Sequence, residues 1–227
     1  MIVIIAGMPR SGSTFSFNIA RELLQARGTT AWASDNSLPP QAERPRVDHF
    51  ILKSHQPDPQ VCNLISSGQA KAICTYRKPE DAVASWAGTF GFSVSDSIAS
   101  ILGWLRWHAG QTGTSDIDYR TIESDPLAVI IAIQACLLGS VEEQEARRLL
   151  ERHNKRATYA KVVHMEKGVR MVDIGFSYYD PESFLHRGHV RSEQPLVAED
   201  TLSAGEFAQV REALAPFVGT DGLYRPA

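Results

Sequence analysis

The sequence predicts an α/β fold of three layers, in which helices flank a central parallel sheet and a P-loop-like phosphate-binding loop follows the first strand. Apolar segments typical of strands alternate with segments of helical periodicity along the 227 residues. The first apolar run, Ile2 to Ala6, leads into a loop of small residues and then into a helix. In such a loop, consecutive backbone N–H groups converge on an anion at the positive end of the helix dipole.

The phosphate-binding loop contains the segment Arg10-Ser11-Gly12-Ser13-Thr14. A nucleotide triphosphatase requires Gly-Lys followed by Ser or Thr, so that magnesium is held between phosphates. This chain lacks that lysine, and Arg10 contributes a planar cation instead. The loop therefore indicates phosphate binding but does not favour an ATPase or a kinase.

The other elements follow from apolar spacing and from residues that begin or end helices. Residues 13–27 place Phe15 and Ile19 on one helical face, and Gly28 is a natural stop. Prolines predict an exposed connection at 34–48, and apolar runs predict strands at His49–Lys53 and Lys71–Tyr76. A helix is predicted from Pro79, with Trp86 facing a core. Another helix is predicted from the spacing of Ile98, Ile101, Leu102 and Leu105. Capping signals predict a helix from Asp125-Pro126 to Gly139 and, from the boxes Ser140 with Glu143 and Ser203 with Glu206, helices near 141–152 and 204–215.

Composition and charge exclude several classes of protein. A chain with 43% hydrophobic and 22% charged residues is expected to form one domain spanning 1–227. Its net charge of −3 favours neither nucleic acid nor an anionic membrane as a partner. Cys62, Cys74 and Cys136 lie far apart and form no CxxC pair, which argues against a disulfide framework or a structural zinc site and fits a reducing cytoplasm. The run Ile2 to Ala6 is too short for a signal peptide, and no other segment predicts a membrane span.

A cation and an imidazole lie two residues apart at the end of the predicted strand His49–Lys53, as Lys53 and His55. In an extended chain they point to the same side. If this strand neighbours the first, both side chains overhang the phosphate-binding loop, where a cation stabilises charge and an imidazole acts as a general base. A lone histidine more often has a structural role, so the prediction for His55 depends on these neighbours.

Arg77 ends the next predicted strand, and Ser85 lies two helical turns further along the following helix. Both side chains could reach one phosphate group. In isolation, such a pair is usually a solvated arginine and a small packing serine. Here the two residues follow the phosphate-binding loop and the Lys53 and His55 pair in order along the chain.

Taken in order, these segments resemble the sulfotransferases that use 3′-phosphoadenosine 5′-phosphosulfate (PAPS). Residues 8–14, Met-Pro-Arg-Ser-Gly-Ser-Thr, are similar to that family's 5′-phosphosulfate loop, and Lys53-Ser54-His55 resembles its Lys-Thr-His segment. Residues 76–86 look like the family's Arg-Asn-Pro-Lys-Asp-Val-Ala-Val-Ser segment. The resemblance implies that the 5′-phosphate and sulfonate are held by Arg10, Ser11, Gly12, Ser13 and Thr14, the 3′-phosphate by Arg77 and Ser85, and that the catalytic base is His55.

Two later segments match the family less closely. Residues 118–126, Asp-Tyr-Arg-Thr-Ile-Glu-Ser-Asp-Pro, resemble its Tyr-Glu-Asp-Leu…Asp-Pro segment and imply that Tyr119 lies near the adenine. Residues 184–191 resemble the late Arg-Lys-Gly segment that closes over the 3′-phosphate, with Arg187 and Gly188 carried over. The glycine and lysine that follow in the family are absent here, so the family pattern does not define how this segment closes.

The resemblance implies an enzyme that transfers sulfonate from PAPS to a hydroxyl of a small-molecule acceptor, such as an aromatic compound or a natural product. Arg10 and Lys53 would supply the charge that magnesium supplies in kinases, so no metal is expected.

The basic stretch 147–167 contains interspersed glutamates and is expected to be a solvated helix face. Aromatic residues could line the acceptor pocket, although helical spacing favours a core role for most of Trp86, Phe90, Phe92, Trp104 and Trp107. The acceptor, the sulfonated atom and the oligomeric state, including a homodimer, stay open.

Two alternatives to a sulfotransferase also stay open. A kinase or nucleotide hydrolase would need magnesium and an acidic ligand after an apolar strand, for which Asp116 and Asp118 come nearest. A non-catalytic nucleotide-binding module would need the phosphate-binding residues but not His55. His186 and His189 have the spacing of metal ligands, yet no cysteine or paired carboxylate completes a site beside them.

Overall fold

The computed structural model describes residues 1–40, 45–168, 170–175, 177–187, 190 and 195–226 of the chain. Its main sheet contains β1 (Ile2–Ala6), β2 (Thr30–Ser34), β3 (His49–Ser54), β4 (Ala70–Tyr76) and β5 (Thr114–Asp118). The strand order is β2-β3-β1-β4-β5, and every neighbouring pair is parallel. A two-stranded antiparallel hairpin, β6 (Val172–Asp173) and β7 (Tyr178–Tyr179), lies apart from it in the chain. The predicted central parallel sheet is therefore confirmed.

Helices cover both faces of the main sheet. They are α1 (Ser13–Gln25), α2 (Pro59–Ser66), α3 (Pro79–Phe90), α4 (Val94–Ala109), α5 (Tyr119–Ser124), α6 (Pro126–Leu138), α7 (Glu143–His153), α8 (Lys155–Val163), α9 (Ala198–Thr201) and α10 (Ala204–Leu214). Helices α1, α6 and α7 share one core with the sheet, and α2, α3, α4 and α10 share the other. Within the described ranges, none of these helices combines the length and apolar character needed to cross a membrane.

Strand β1 lies at the centre of both cores, which explains its uninterrupted apolar sequence. Ile4 belongs to the core on one face, whereas Val3 and Ile5 belong to the core on the other, and all three are fully buried. A strand that is buried on both faces has no solvent-facing positions to fill with polar residues. Its carboxyl end therefore delivers the phosphate-binding loop from a rigid position between β3 and β4.

Several predicted helix ends are confirmed by their hydrogen bonds. The Asp125 carboxylate accepts from the N–H of Ala128 at the start of α6, and Gly139 ends that helix with a φ of 70°. At α10, Ser203 and Glu206 form the reciprocal capping box. These signals are local, so they can be recognised in the sequence without knowledge of the fold.

The predicted box of Ser140 with Glu143 is wrong. Helix α7 begins at Glu143 after Glu142, and no side chain caps its first turn. The buried side chain of Gln134 on α6 bonds both the backbone N–H and the carbonyl of Glu142, each at 3.3 Å. This tertiary contact fixes the chain before α7 and replaces the predicted cap.

Sequence analysis missed β2, β5 and α2. Both strands lie at the edges of the sheet, where fewer side chains are enclosed by core, and β5 is mostly polar. The predicted connection 34–48 also differs in part, because Ser34 ends β2 and Leu38 is buried. Residues 41–44 of that connection lie outside the described ranges.

Candidate active site

The phosphate-binding loop turns from β1 into α1 through two residues of positive φ, Arg10 at 67° and Gly12 at 88°. The backbone angle at Gly12 favours glycine, and a Cβ there would lie 2.6 Å from Cδ1 of Ile122, so that the end of this side chain would have to move. Ser11 does not face outward. Its buried hydroxyl bonds the carbonyl of Met8 at 2.6 Å and contacts both the carbonyl and the hydroxyl of Thr75. Its side chain therefore secures the loop to β4.

The start of α1 has the character of an anion site. Gly12 occupies the N-cap position, where it has no side chain to accept from the first-turn N–H groups. These groups carry the positive end of the helix dipole. Arg10 lines the same cavities as Gly12 and Thr14, and its Nε donates to the hydroxyl of Ser85 at 3.1 Å. The loop thus combines backbone donors with a fixed cation.

Arg77 brings a second cation to this loop from the end of β4. Its side chain is only 6% exposed, and burial lowers the pKa of the guanidinium, while Tyr119 and Asp81 act in the opposite direction. Nη1 donates to the carbonyl of Arg10 at 3.4 Å, and the guanidinium lies 4.7 Å from the ring centre of Tyr119. Nε is buried and has no partner among the described residues. Such a donor is suited to an incoming anion.

A first cavity of about 370 Å³ extends from the loop past Arg77 and Ser85. Its further walls come from α1, α5 and the α7–α8 junction, including Phe15, Asn18, Tyr119, Ile122, Glu123, Asn154, Lys155 and Arg156. The Tyr119 hydroxyl donates to Glu123 at 2.9 Å, and burial together with that carboxylate raises the pKa of the phenol. The cavity therefore has cations at one end and a wall of rings and aliphatic groups beside them.

This cavity contains residues that sequence analysis missed. Phe15 belongs to the predicted apolar face of α1, but it is half-buried and lines the cavity. Lys155 and Arg156 belong to the stretch expected to be a solvated helix face, yet they also line the cavity. No local pattern distinguishes these residues from other members of an amphipathic helix, because their role depends on which helices meet.

Lys53 and His55 leave β3 directly beside the loop. Lys53 pairs in register with Ile5 of β1, so β3 neighbours β1, which is the condition for Lys53 and His55 to overhang the loop. Lys53 is 7% exposed, and burial lowers the pKa of its ammonium to about 8. No carboxylate pairs with it in the described part of the chain. A buried cation without a counterion is expected to attract an anionic ligand.

His55 is held in a defined orientation by the backbone of the loop. Its Nδ1 lies 2.6 Å from the carbonyl of Gly7. Since a carbonyl only accepts, Nδ1 carries the proton and Nε2 keeps its lone pair. Burial, reinforced by the charge of Lys53, lowers the pKa of His55 to about 3. The imidazole is therefore neutral at physiological pH and able to accept a proton at Nε2.

A second cavity of about 310 Å³ lies on the Lys53 and His55 side of the loop. It shares Arg10, Gly12 and Thr14 with the first cavity, and Ser13 also lines it. Its remaining lining residues are Ser34, Lys53, His55, Trp86, Phe90, Ile174, Tyr179, Phe184 and His186. The shared loop is therefore the place at which molecules in the two cavities would meet.

The aromatic residues expected near this pocket divide into two groups. Trp86 and Phe90 line the second cavity, and Phe92 stacks on Trp86 with ring centres 5.7 Å apart. Trp104 is fully buried and donates to the carbonyl of Ala6, and Trp107 packs against it. The expected core role thus holds for Trp104 but not for Trp86.

Other walls of the second cavity come from a distant part of the sequence. Tyr179, Phe184 and His186 lie near the hairpin and were not singled out as pocket residues. Burial, together with the charges of Lys53 and Arg10, lowers the pKa of His186 to about 4. Both histidines of this cavity are therefore neutral at physiological pH.

The late segment expected to close over the nucleotide is only partly described. Arg187 is exposed and lines neither cavity, and Gly188 lies outside the described residues, as does His189. Further along, Pro195 and Leu196 do line the first cavity. The carbonyl of Leu196 accepts from Arg77 at 3.1 Å, so this part of the chain lies directly beside the cation of β4.

Elsewhere in the described chain, three side chains of types that can ligate a metal lie close together. Donor atoms of Cys74, His108 and Asp116 lie within 4.8 Å of one another. His108 bonds Asp116 at 2.9 Å and the hydroxyl of Tyr224 at 2.7 Å, so both ring nitrogens are engaged. Burial raises the pKa of the Cys74 thiol, which disfavours the thiolate that a metal requires. These contacts support a structural hydrogen-bond network at this point.

Comparison with solved structures identifies the fold. Mouse sulfotransferase SULT7A1, solved in complex with PAP, aligns with a TM-score of 0.64 and 13% identity over 97% of this chain and 86% of its own. Retinol dehydratase was solved with androsterone and the inactive cofactor PAP, and also with retinol and PAP. It aligns with a TM-score of 0.63 and 15% identity over 99% of this chain and 82% or 83% of its own. No protein-family model and no curated protein sequence matches the chain. The chain therefore has the sulfotransferase fold that its motifs predict.

Proposed function

We propose that this protein is a sulfotransferase that transfers the sulfonate group of PAPS to a hydroxyl of a small-molecule acceptor. The observation that carries the proposal is the meeting of two cavities at the phosphate-binding loop. One cavity holds Arg77 and Ser85, and the other holds Lys53 and His55. The solved relatives of this fold are complexes with PAP, which supports a nucleotide of this kind.

The first cavity suits the nucleotide part of the donor. In the proposed arrangement, the loop residues Gly12, Ser13 and Thr14 hold the 5′-phosphosulfate through backbone donors. Arg77 and Ser85 hold the 3′-phosphate, for which the unpartnered Nε of Arg77 is suited. The adenine would lie against the ring and aliphatic wall that includes Tyr119. In the proposed complex, Arg187 and Gly188 contact the 3′-phosphate when their segment closes over the nucleotide.

The proposed chemistry is an in-line displacement at sulfur. The acceptor oxygen forms a bond to sulfur as the bond from sulfur to the 5′-phosphate oxygen breaks, and the electron pair of that bond leaves with the phosphate. Nε2 of His55 takes the acceptor's proton. Arg10 and Lys53 stabilise the charge on the sulfonate and on the leaving phosphate, so no divalent metal is required.

Calorimetry without divalent metal tests the donor. We expect the protein to bind adenosine 3′,5′-bisphosphate (PAP) more tightly than AMP, ADP or ATP, because only PAP carries a 3′-phosphate for Arg77.

Arg77→Ala should reduce the ratio of PAP affinity to AMP affinity by about tenfold or more, since a charge-assisted contact is lost. If the ratio of PAP affinity to AMP affinity is the same in parent and variant, Arg77 does not bind the 3′-phosphate. Binding of ATP only in the presence of magnesium would favour a kinase or hydrolase instead.

The second cavity suits an aromatic hydroxyl compound without positive charge. Rings of Trp86, Phe90 and Phe184 form its apolar walls, while Arg10 and Lys53 contribute positive charge. None of its described lining residues is a carboxylate. An ammonium group on the acceptor would therefore meet like charge in a poorly solvated site.

A matched pair of acceptors tests this electrostatic preference. We expect kcat/KM for 4-ethylphenol to exceed that for tyramine by at least about tenfold, because the two differ by one ammonium group. Rates should be measured with saturating PAPS at neutral pH. Equal values would contradict the proposed acceptor class, whereas turnover of neither compound despite tight PAP binding would favour the non-catalytic module.

A further inference from the structure

Asn18 lies on α1 one helical turn beyond the phosphate-binding loop, and its side-chain amide has a fixed orientation. Nδ2 donates to the carbonyl of Thr14 and to the carbonyl of Ser183, each at 2.8 Å. If the amide were flipped, Oδ1 would face the two carbonyl oxygens, and none of these three oxygens has a proton to donate. Oδ1 is therefore committed as a hydrogen-bond acceptor.

That acceptor is left unsatisfied. Asn18 is 3% exposed, and Oδ1 is buried with no hydrogen-bond partner among the described residues. A buried polar atom without a partner is costly, and such atoms are rare in folded proteins. Asn18 also lines the first cavity, as do Phe15 and Tyr119. The missing partner is thus expected from a ligand in that cavity.

We infer that Asn18 recognises the nucleoside part of the bound nucleotide through a hydrogen bond to Oδ1. This inference rests on the proposed function. Ionised phosphate and sulfonate groups only accept hydrogen bonds, so they cannot satisfy Oδ1. PAPS and PAP carry donors only at the ribose 2′-hydroxyl and the adenine 6-amino group. One of these two groups is the partner, and the residue selects nucleotides that carry it.

Nucleotide analogues test the assignment on the unmodified protein. Calorimetry would compare PAP with 2′-deoxyadenosine 3′,5′-bisphosphate and with inosine 3′,5′-bisphosphate, which lack the hydroxyl and the amino group respectively. We expect one of the two analogues to bind about tenfold or more weakly than PAP, because Oδ1 then stays buried and unpaired. The identity of that analogue names the partner group.

A variant then assigns the effect to Asn18. In Asn18→Ala, the analogue and PAP should bind with similar affinity, because the acceptor has been removed. Asn18→Ser provides a second variant that can keep a hydrogen bond to the carbonyl of Thr14 and so protect the start of α1. Asn154→Ala is the matched control, since Asn154 lines the same cavity but its Oδ1 already accepts from Ala157 at 2.8 Å. The control should keep the full difference between the analogue and PAP.

Other outcomes would overturn the inference. Equal binding of PAP and both analogues to the parent protein would show that Oδ1 has no nucleotide partner. A difference that persists in both Asn18 variants would assign it to another residue. If PAP itself does not bind the parent, the proposed function and this assignment fail together, whereas PAP binding without any difference overturns this assignment alone.

Discussion

We expect His55→Ala to lower kcat by about 10²–10⁴-fold, the range typical for loss of a general base. Affinity for PAP should change little, because His55 faces the second cavity and holds none of the proposed nucleotide contacts. The bond from Nδ1 to the carbonyl of Gly7 directs Nε2 as the acceptor of the proton. The variant removes that acceptor without altering the cations of the site.

The low pKa of His55 fits this role once the donor is bound. In the ligand-free protein, burial and the charge of Lys53 lower the pKa to about 3, so the base form is fully populated at neutral pH. A bound phosphosulfate would offset the charges of Lys53 and Arg10. The pKa of His55 should then rise toward the pH of the reaction, which makes proton transfer easier.

The measurement is steady-state turnover of 4-ethylphenol with saturating PAPS, with PAP affinity measured in parallel. His49→Ala serves as the control because His49 is at the opposite end of the same strand. The control should keep the parent kcat. Parent-like turnover of His55→Ala would show that another group removes the proton.

We expect Lys53→Met to lower kcat by about 10²–10³-fold, since a positioned charge at the reacting group is lost. Methionine is close in length to lysine and apolar, so it can fill the buried space that the lysine stem occupies. Lys53 has no carboxylate partner among the described residues, and its substitution therefore leaves no internal anion unpaired. The loss should appear in turnover and, to a smaller extent, in PAP affinity.

Proton uptake provides a separate readout of the same residue. Burial lowers the pKa of Lys53 to about 8, and an anionic ligand should raise it again. Binding of PAP near pH 8 should therefore take up roughly half a proton, and the affinity should fall as the pH rises through that value. The uptake is measured from calorimetric enthalpies in buffers of different ionisation enthalpy. Lys53→Met should lose the contribution of this group.

Lys71→Met is the matched control for Lys53. Nζ of Lys71 donates to the carbonyls of Cys136 and Leu137 at 2.7 and 2.9 Å, which caps the end of α6 far from the loop. This variant should unfold at lower denaturant concentration while the folded protein keeps its kcat. Unchanged turnover and unchanged proton uptake in Lys53→Met would contradict the assignment of Lys53.

Much of the central fold could be predicted from sequence because its signals are local. The run Ile2 to Ala6, the following loop and the spacing of α1 were recognised directly, as were the caps at Asp125 and Ser203. The prediction that Lys53 and His55 lie beside the loop required only that β3 neighbour β1, which the register confirms. Parallel strands in one sheet bring their carboxyl ends to one edge.

The edge strands and the start of α7 could not be predicted in this way. Strand β5 is mostly polar because it lies at an edge, and its identity depends on pairing with β4. Helix α7 begins where Gln134 of another helix holds the backbone of Glu142. Strand β4 is far in sequence from β5, and Gln134 belongs to a different helix from the one whose start it fixes.

By itself, the amino-acid sequence determined the phosphate-binding loop, its cations and the order of the motifs, because each of these depends on residues within a few positions of one another. Only the tertiary structure decided which walls complete the two cavities. It brought Phe184 and His186 to His55, and Lys155 to the nucleotide side. It also left Oδ1 of Asn18 buried and unpaired. The physical reason is that cavity walls and unsatisfied groups are defined by contacts between distant segments, which no local pattern of side chains encodes.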